Sequence, residues 1–179
     1  MKKILILYST TDGHTKLICE RIKISLEKHF LVEIHPIQAN GEDLSVISKD
    51  VETVIIGASI RYGKHNDALY HFINNNFEFL ENVNNAFFSV NAVARKAEKN
   101  TPNNNPYIEK FLKISKWKPK KIAVFAGKID YSKYHFIDKF MIRLIMWITK
   151  GPTDTSKTFE FTNWEKVDEF SNEIKKNLV

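Results

Sequence analysis

The sequence predicts an α/β protein in which helices cover both faces of a five-stranded, doubly wound parallel sheet. Short apolar runs alternate with segments of helical periodicity along the chain, and apolar runs of this kind are typical of parallel strands buried on both faces. The chain has 179 residues, of which 43% are hydrophobic and 27% charged, as in an ordinary folded domain. We therefore expect one domain over residues 1–179, built from βα units.

Each predicted element follows from a local pattern. Strands are predicted where short apolar runs lie between polar or turn-forming residues, at 3–8, 31–37, 53–58, 86–90 and 121–126. Helices are predicted where apolar residues recur at helical spacing, at 15–29, 42–49, 67–80, 107–116 and 164–177. Pro36 marks the second strand as an edge strand. Thr162 and Glu165 have the spacing of a capping box before the last helix.

An insertion at 127–157 interrupts this alternation between the fifth strand and a strand-like run at 158–162. About thirty residues are far more than a strand-to-helix loop needs, so the insertion is expected to split the fifth strand. It contains a predicted amphipathic helix over 136–148. Its apolar half consists of Phe136, Ile137, Phe140, Met141, Leu144, Ile145, Trp147 and Ile148. Its polar half consists of Asp138, Lys139, Arg143, Thr149 and Lys150.

Composition excludes several classes of protein. The single cysteine, Cys19, excludes an intramolecular disulfide and a cysteine-based metal cage. It favours a reducing, cytoplasm-facing location. The longest apolar stretch, 140–148, contains Arg143 and is too short to span a bilayer. We therefore expect a protein that is soluble or lies on a membrane surface.

The positive charge is concentrated in one window of the sequence. The net charge is +6, and residues 95–121 contain nine basic residues against two acidic ones. Such a window favours an anionic partner, while a solvated lysine-rich face explains part of it equally well. Stacking aromatic residues do not alternate with these charges, so we expect no nucleic-acid partner.

The loop after the first strand has the composition of a phosphate-binding loop. It consists of Ser9, Thr10, Thr11, Asp12, Gly13, His14 and Thr15. Its hydroxyl groups and backbone amides, at the start of a helix, suit an anion. The loop lacks the glycine–lysine pair of a Walker loop and the three glycines of a Rossmann loop. Helix capping explains the same hydroxyl residues without a ligand.

Two further loops end at the same edge of the predicted sheet, where ligands bind in open α/β folds. The second loop contains Ser59, Ile60, Arg61, Tyr62 and Gly63, and the third contains Ser89, Val90, Asn91, Ala92 and Val93. Small residues allow a flat ring to approach the backbone, and Tyr62 could stack on it or simply be a surface aromatic. A phosphoacceptor receiver domain is excluded, because the third strand ends in Gly57-Ala58-Ser59 without an aspartate.

The three loops and the insertion together resemble a known family. The segments 9–15, 54–63, 88–96, 138–146 and 151–155 are similar to those of the flavodoxin-like, menaquinone-dependent protoporphyrinogen IX dehydrogenases of bacteria. The resemblance covers essentially the whole chain. It implies a flavodoxin-like fold with FMN, whose phosphate lies in the first loop and whose ring lies by the other two loops and Gly127. It also implies an oxidoreductase of haem biosynthesis that removes six electrons from protoporphyrinogen IX and passes them to a membrane quinone.

The same resemblance suggests roles outside the cofactor site. Arg61, Arg95 and Lys96 are expected to attract the two propionates of the substrate, because guanidinium groups pair with carboxylates. The amphipathic helix is expected to form a wall of the site and to hold the protein peripherally on the cytoplasmic side of the membrane. Packing in the core or in a homo-oligomer is the alternative for that helix. The sequence assigns no catalytic base.

Two other functions remain open from the sequence. An FMN-dependent NAD(P)H:quinone oxidoreductase would differ only in its electron donor. A flavodoxin-type electron carrier would typically be acidic and have two aromatic residues around the flavin, whereas this chain is basic and has Tyr62 alone in the ring loops.

Overall fold

The computed structural model describes residues 1–38 and 50–178, and the sheet within them has the predicted parallel topology. The strands are β1 (Lys3–Ser9), β2 (Leu31–Pro36), β3 (Val51–Arg61), β4 (Lys64–His65), β5 (Asn84–Asn91), β6 (Lys121–Ala126), β7 (Lys128–Asp130) and β8 (Thr158–Glu160). Five of them form the main sheet in the order β2-β1-β3-β5-β6, and every neighbouring pair in that order is parallel. The short β4 pairs antiparallel with the end of β3.

The helices lie on both faces of this sheet. They are α1 (His14–Leu26), α2 (Asp67–Asn75), α3 (Phe77–Asn82), α4 (Pro106–Ile114), α5 (Phe136–Ile148) and α6 (Trp164–Lys176). Apolar residues of α2, α3 and α4 pack on one face against Leu5 and Leu7 of β1. Those of α1 and α6 pack on the other face against Ile4 and Ile6. The alternation of side chains along β1 thus divides the core into two layers, as a doubly wound fold requires.

The helix predicted over 67–80 is two helices. Asn76 ends α2, and its side-chain amide donates a hydrogen bond of 2.9 Å to the carbonyl oxygen of Phe72. Asparagine side chains compete with the backbone for hydrogen bonds, and three consecutive asparagines at 74–76 weaken the helix there. The chain therefore turns before α3. The helix predicted over 42–49 lies outside the described residues.

The insertion leaves the fifth strand of the sheet in one piece. β6 runs unbroken to Ala126, and the strand-like run after the insertion, β8, pairs antiparallel with β7 in a separate two-stranded sheet. The backbone N–H of Phe161 donates to the carbonyl oxygen of Gly127 at 3.1 Å, so the chain returns close to where it left. A small core of Ile129, Tyr131, Tyr134 and Met146 holds this ribbon and α5 together.

The basic window at 95–121 does not form a single face. Arg95 follows the carboxyl end of β5, whereas the ammonium of Lys120 donates to the carbonyl oxygen of Val83 next to the amino end of that strand. An eight-residue strand separates these positions by about 25 Å. Among the described residues, no helix is long and apolar enough to cross a bilayer.

We predict that Gly57→Ala destabilises the sheet. A Cβ atom at this position of β3 would overlap the ring of Phe88 on β5, which is itself fully buried. Overpacking of this kind costs about 1–3 kcal/mol. Urea unfolding should show the loss as a lower midpoint with an unchanged slope, and a wild-type midpoint would contradict the packing described here.

Candidate functional site

A cleft lies at the carboxyl edge of the main sheet, where the three predicted loops meet the inner side of α5. It is lined by the predicted residues Thr10, Thr11, Asp12, His14, Thr15, Ser59, Ile60, Arg61, Tyr62, Gly63, Val90, Asn91, Ala92, Val93, Arg95 and Gly127. Four other predicted residues, Ser9, Gly13, Ser89 and Lys96, belong to the same loops but do not line the cleft. The parallel topology therefore brings together segments that are distant in sequence.

The first loop turns tightly into the amino end of α1. Gly13 has a φ of +85°, and its N–H donates to Thr10 Oγ1 at 3.1 Å, which fixes the turn into α1. Thr15 is fully buried in the first turn of that helix, and its Oγ1 has no hydrogen-bond partner within 1–38 and 50–178. A buried hydroxyl without a partner costs free energy. An anion at the amino end of α1 would accept from this hydroxyl and from the free backbone amides.

His14 ties this loop to the chain that returns from the insertion. Its Nε2 lies 2.6 Å from Thr162 Oγ1, and the Thr162 hydroxyl donates to the carbonyl oxygen of Ala126 at 2.8 Å. Since that hydroxyl has one proton, Nε2 of His14 must be the donor to Thr162. Nδ1 is then the bare nitrogen in the neutral ring, and burial lowers the pKa of His14 and favours that form.

The second loop is a two-residue hairpin turn. Arg61 pairs with Lys64, and the two residues between them, Tyr62 and Gly63, have φ values of +50° and +75°. Two positive φ values define the hairpin turn that fits the twist of its strands, although the left-handed conformation is unfavourable for tyrosine. The turn holds the Tyr62 ring at the mouth of the cleft, where the residue is 61% exposed.

Arg61 joins three segments around the cleft. Its guanidinium lies 3.3 Å from the carboxylate of Asp12 in the first loop and 3.0 Å from that of Asp138 on α5. It also lies over the rings of Tyr62 and Tyr134, at 5.1 and 4.8 Å from the two ring centroids. The Tyr62 hydroxyl donates to Asp138 and, together with Arg61, holds the pKa of that carboxyl below its usual value.

Arg95 holds the other end of α5. Its guanidinium donates to the carbonyl oxygen of Thr149 at 2.9 Å and to the carbonyl oxygen of Ala92 at 2.8 Å. A cation at the carboxyl end of a helix is favourable, because the last carbonyls lack partners in the helix. Gly151 lies so close that a Cβ atom there would be 2.8 Å from Arg95 Nη2.

A chain of buried polar side chains supports the third loop from behind. His65 Nε2 lies 3.0 Å from Ser89 Oγ, which also accepts from the Asn91 amide at 3.2 Å. Asn91 Oδ1 accepts from the Asn105 amide at 3.2 Å and from the N–H of Ala94 at 3.1 Å. His65 is 2% exposed and lies behind Ser89, so it acts on the loop and does not reach the cleft.

Helix α5 forms the wall that faces the three loops. The sequence identified this helix with its bounds and expected it to line the site, but nine lining residues were not assigned. They are Tyr107, Lys128, Ile129, Tyr134, Met141, Ile142, Ile145, Met146 and Thr149. Met141 and Ile145 were visible as members of the apolar half of α5. Tyr107 and Tyr134 carry no signal in the sequence, because only the tertiary fold brings them to the cleft.

The fold and the cleft define a flavodoxin-type domain. The family model described as "Flavodoxin domain" matches residues 5–156. Among solved structures, oxidised flavodoxin 1 from Bacillus cereus aligns with a TM-score of 0.56 at 15% identity, over 99% of both chains. Megasphaera elsdenii flavodoxin in its two-electron reduced form aligns with a TM-score of 0.50 at 12% identity, over 68% of this chain and 84% of that one.

Two curated relatives narrow the family further. A protoporphyrinogen IX dehydrogenase [quinone] from Escherichia coli K12 is 42% identical over 176 residues, covering 96% of this chain and 94% of the relative. A protein of the same name from Leishmania major is 40% identical over 172 residues, covering 96% of this chain and 74% of the relative. The chain therefore belongs to the flavodoxin-domain family of quinone-dependent protoporphyrinogen IX dehydrogenases.

We predict that His65 makes the stability of the protein depend on pH. Burial lowers its pKa to about 4, whereas the unfolded chain takes up the proton near its ordinary value of 6.5. The stability present at neutral pH is therefore lost as the pH falls below about 6.5, by about 2 kcal/mol between pH 7.5 and 5.0. Urea unfolding of the wild type and of His65→Gln at both pH values isolates this effect. Equal losses in the two proteins would contradict it.

Proposed function

We propose that this protein uses FMN to oxidise protoporphyrinogen IX to protoporphyrin IX, with a quinone as electron acceptor, in haem biosynthesis. The observation that carries the proposal is one cleft that joins a phosphate-type loop to an apolar helical wall. The two relatives that align with 96% of this chain are named for the same oxidation. An electron carrier has no need of a covered apolar cleft, whereas an enzyme for a poorly water-soluble tetrapyrrole does.

The residues present fit FMN. The Thr15 hydroxyl, which has no partner in the part of the chain that the structure describes, would hold the phosphate together with the amides after Gly13 at the start of α1. The segments Ser59–Gly63 and Val90–Val93, with Gly127, would hold the ring, because they line the cleft, and Ser89 would support them from behind. The bound flavin supplies the chemistry of hydride acceptance and quinone reduction. The protein supplies position, electrostatics and exclusion of water.

The chain's own groups divide these tasks. The side chain of Asn91 is held by hydrogen bonds with Asn105 and Ser89 and fixes the position of the loop backbone. The backbone N–H groups of Val90–Ala92 would donate to the pyrimidine edge of the flavin and stabilise negative charge on it. Met141, Ile142, Ile145 and Met146 of α5 provide an apolar wall that excludes water from the opposite side. Lys96, which follows Arg95 in the third loop, and Arg61 in the cleft would attract the substrate's propionates. Arg95 contributes positive charge while its hydrogen bonds hold α5.

The outer side of α5 suggests where the protein works. Six apolar residues there are at least 39% exposed: Phe136, Ile137, Phe140, Leu144, Trp147 and Ile148. Lys139 and Arg143 lie one turn apart on α5, and Lys150 follows its carboxyl end, so that basic residues accompany the apolar surface as in a helix lying in a bilayer interface. We place the protein peripherally on the cytoplasmic side of the membrane, with menaquinone as the acceptor. Its two reactants are both lipid-soluble, which fits a site on that surface.

We predict that Thr15→Val weakens FMN binding without destabilising the protein that lacks FMN. The substitution removes a hydroxyl that has no partner among residues 1–38 and 50–178, so the expected loss is a hydrogen bond to the phosphate, about 1–3 kcal/mol. Thr10→Val is the comparison variant: Thr10 Oγ1 accepts from Gly13, so its removal should lower both the stability of the apoprotein and its affinity for FMN. FMN titration by fluorescence quenching and urea unfolding of the apoprotein measure the two effects. Unchanged FMN affinity in Thr15→Val would place the phosphate elsewhere.

We predict that the outer face of α5 binds membranes. In the double variant Phe140→Glu/Trp147→Glu, vesicle binding should fall about tenfold or more, because two exposed aromatic anchors are lost. Ile24→Glu on α1 is the control, since Ile24 is similarly exposed but lies on another helix. Cosedimentation with anionic phospholipid vesicles is the measurement. Wild-type vesicle binding by the double variant, with a change from dimer to monomer, would show that copies of the chain cover this face.

The electron donor distinguishes the proposed enzyme from an NAD(P)H:quinone oxidoreductase. The FMN-loaded protein is mixed without oxygen with either protoporphyrinogen IX or NADPH, and the flavin absorbance is followed. We expect protoporphyrinogen IX to bleach the flavin and an added quinone to restore the absorbance. Bleaching by NADPH alone would favour the other enzyme, and bleaching by neither would favour an electron carrier.

A further inference from the structure

Arg61 is shared by two carboxylates, although it is one of the groups expected to meet the substrate. Asp12 lies on one side of the guanidinium at 3.3 Å and Asp138 on the other at 3.0 Å. The Arg61 and Asp138 side chains are 20% and 23% exposed, so they lie at the boundary between cleft and solvent. A ligand carboxylate that approaches Arg61 therefore finds the guanidinium occupied.

The two carboxylates differ in what they are attached to. Asp12 belongs to the loop between β1 and α1, whose turn is fixed from within by Thr10 and Gly13. Asp138 belongs to the first turn of α5, whose neighbours Phe136, Ile137 and Phe140 are 86%, 74% and 62% exposed. The first turn of α5 thus has little apolar contact with the domain, and apolar packing begins in the second turn with Ile142, which lies against the small core of the insertion. Among the described residues, the side-chain hydrogen bonds of the first turn are those of Asp138 with Arg61 and Tyr62.

The far end of α5 is held much more firmly. Met146 is 2% exposed in the small core of the insertion, and Arg95 donates to both the carbonyl oxygen and the Oγ1 of Thr149. A helix anchored by apolar packing at one end and by an ion pair at the other can swing about the anchored end. Exchanging one carboxylate for another on Arg61 keeps the guanidinium paired, so the swing leaves no buried charge without a partner.

We propose that Asp138 occupies on Arg61 the position that a ligand carboxylate takes, so that a dicarboxylate tetrapyrrole displaces Asp138 and releases the amino-terminal half of α5 from the cleft. The Asp138 carboxylate then takes the place of a ligand propionate while the cleft is empty, and α5 is a gate that opens when a negatively charged ligand binds Arg61. The inference rests on the proposed function for the identity of the ligand. The alternative is that the Arg61–Asp138 ion pair only stabilises the position of α5. In that case Asp138→Asn would not increase the affinity for a charged ligand over a neutral one.

The experiment compares a diacid ligand with its neutral ester. Protoporphyrin IX and its dimethyl ester are titrated in detergent against the FMN-loaded protein, and dissociation constants are measured by fluorescence quenching. In Asp138→Asn, which keeps the size of the side chain, we expect the diacid to bind about fivefold tighter because its competitor has lost its charge. The ester should bind within about twofold of its wild-type affinity, because it makes no ion pair.

Asp67→Asn is the matched control. Asp67 is an exposed carboxylate at the start of α2, and its partner is Lys64 in the strand beside Arg61. The substitution Asp67→Asn removes the same negative charge, but the Arg61 ion pairs stay as they are. If Asp67→Asn tightens diacid binding as much as Asp138→Asn does, general electrostatic attraction is the cause and the exchange on Arg61 is refuted. Weaker binding of both ligands by Asp138→Asn would show that the ion pair is structural, which also refutes it.

A second measurement follows the helix itself and needs no variant. Trypsin cleaves after Lys139 and Arg143 only where α5 unfolds locally, and a helix that has lost its contacts with the domain unfolds more readily. The diacid should accelerate this cleavage in the wild-type protein and the ester should not, and Asp138→Asn should be cleaved rapidly without ligand. Equal cleavage with both ligands overturns the gate while leaving the proposed function intact. If the wild type binds neither ligand and does not oxidise protoporphyrinogen IX, the proposed function fails first.

Discussion

The shared direction of the five central strands is the constraint on which the site depends. Because β1, β3, β5 and β6 are parallel, their carboxyl ends open at one edge, and loops from four parts of the sequence meet there. The same topology aims the amino end of α1 at that edge, so that the N–H groups of its first turn point toward the first loop. The chain adds one element that the sheet does not require, the α5 helix. It turns an open edge into a covered cleft.

Helix α5 shows both the reach and the limit of sequence reasoning. The periodicity over 136–148 predicted its bounds correctly, and the three loops were found from composition alone. The prediction of a single apolar half was too simple, because this helix has two apolar surfaces. Met141, Ile142 and Ile145 line the cleft, whereas Phe136, Phe140 and Trp147 face outward. Periodicity reports which residues share a side, but it does not report how many partners a helix has.

Charges were harder to interpret from the sequence than hydrophobic patterns. The basic window at 95–121 was interpreted as one surface because it is continuous in sequence. In the fold it runs from the carboxyl end of β5 to the amino end of β6, which lie at opposite ends of the parallel strands. Arg61 and Arg95 were correctly sought near the cleft, and yet both are engaged with α5. The partners of a long charged side chain depend on distant segments. The ion pair of Arg61 with Asp138, 77 positions away, is an example of a contact without a local signature.

The hydrogen bond between Phe161 N–H and Gly127 C=O places the two ends of the insertion side by side. A segment whose ends already meet closes a loop at the surface of the finished domain, and its length has little effect on the cost of that closure. The β6 strand and the Thr162–His14 contact lie outside the insertion. They connect the sheet to the first loop without any residue of the insertion. The insertion is therefore separable from the sheet. Its loop can change in length or sequence while the sheet and the hydrogen bonds of His14 and Thr162 stay as they are.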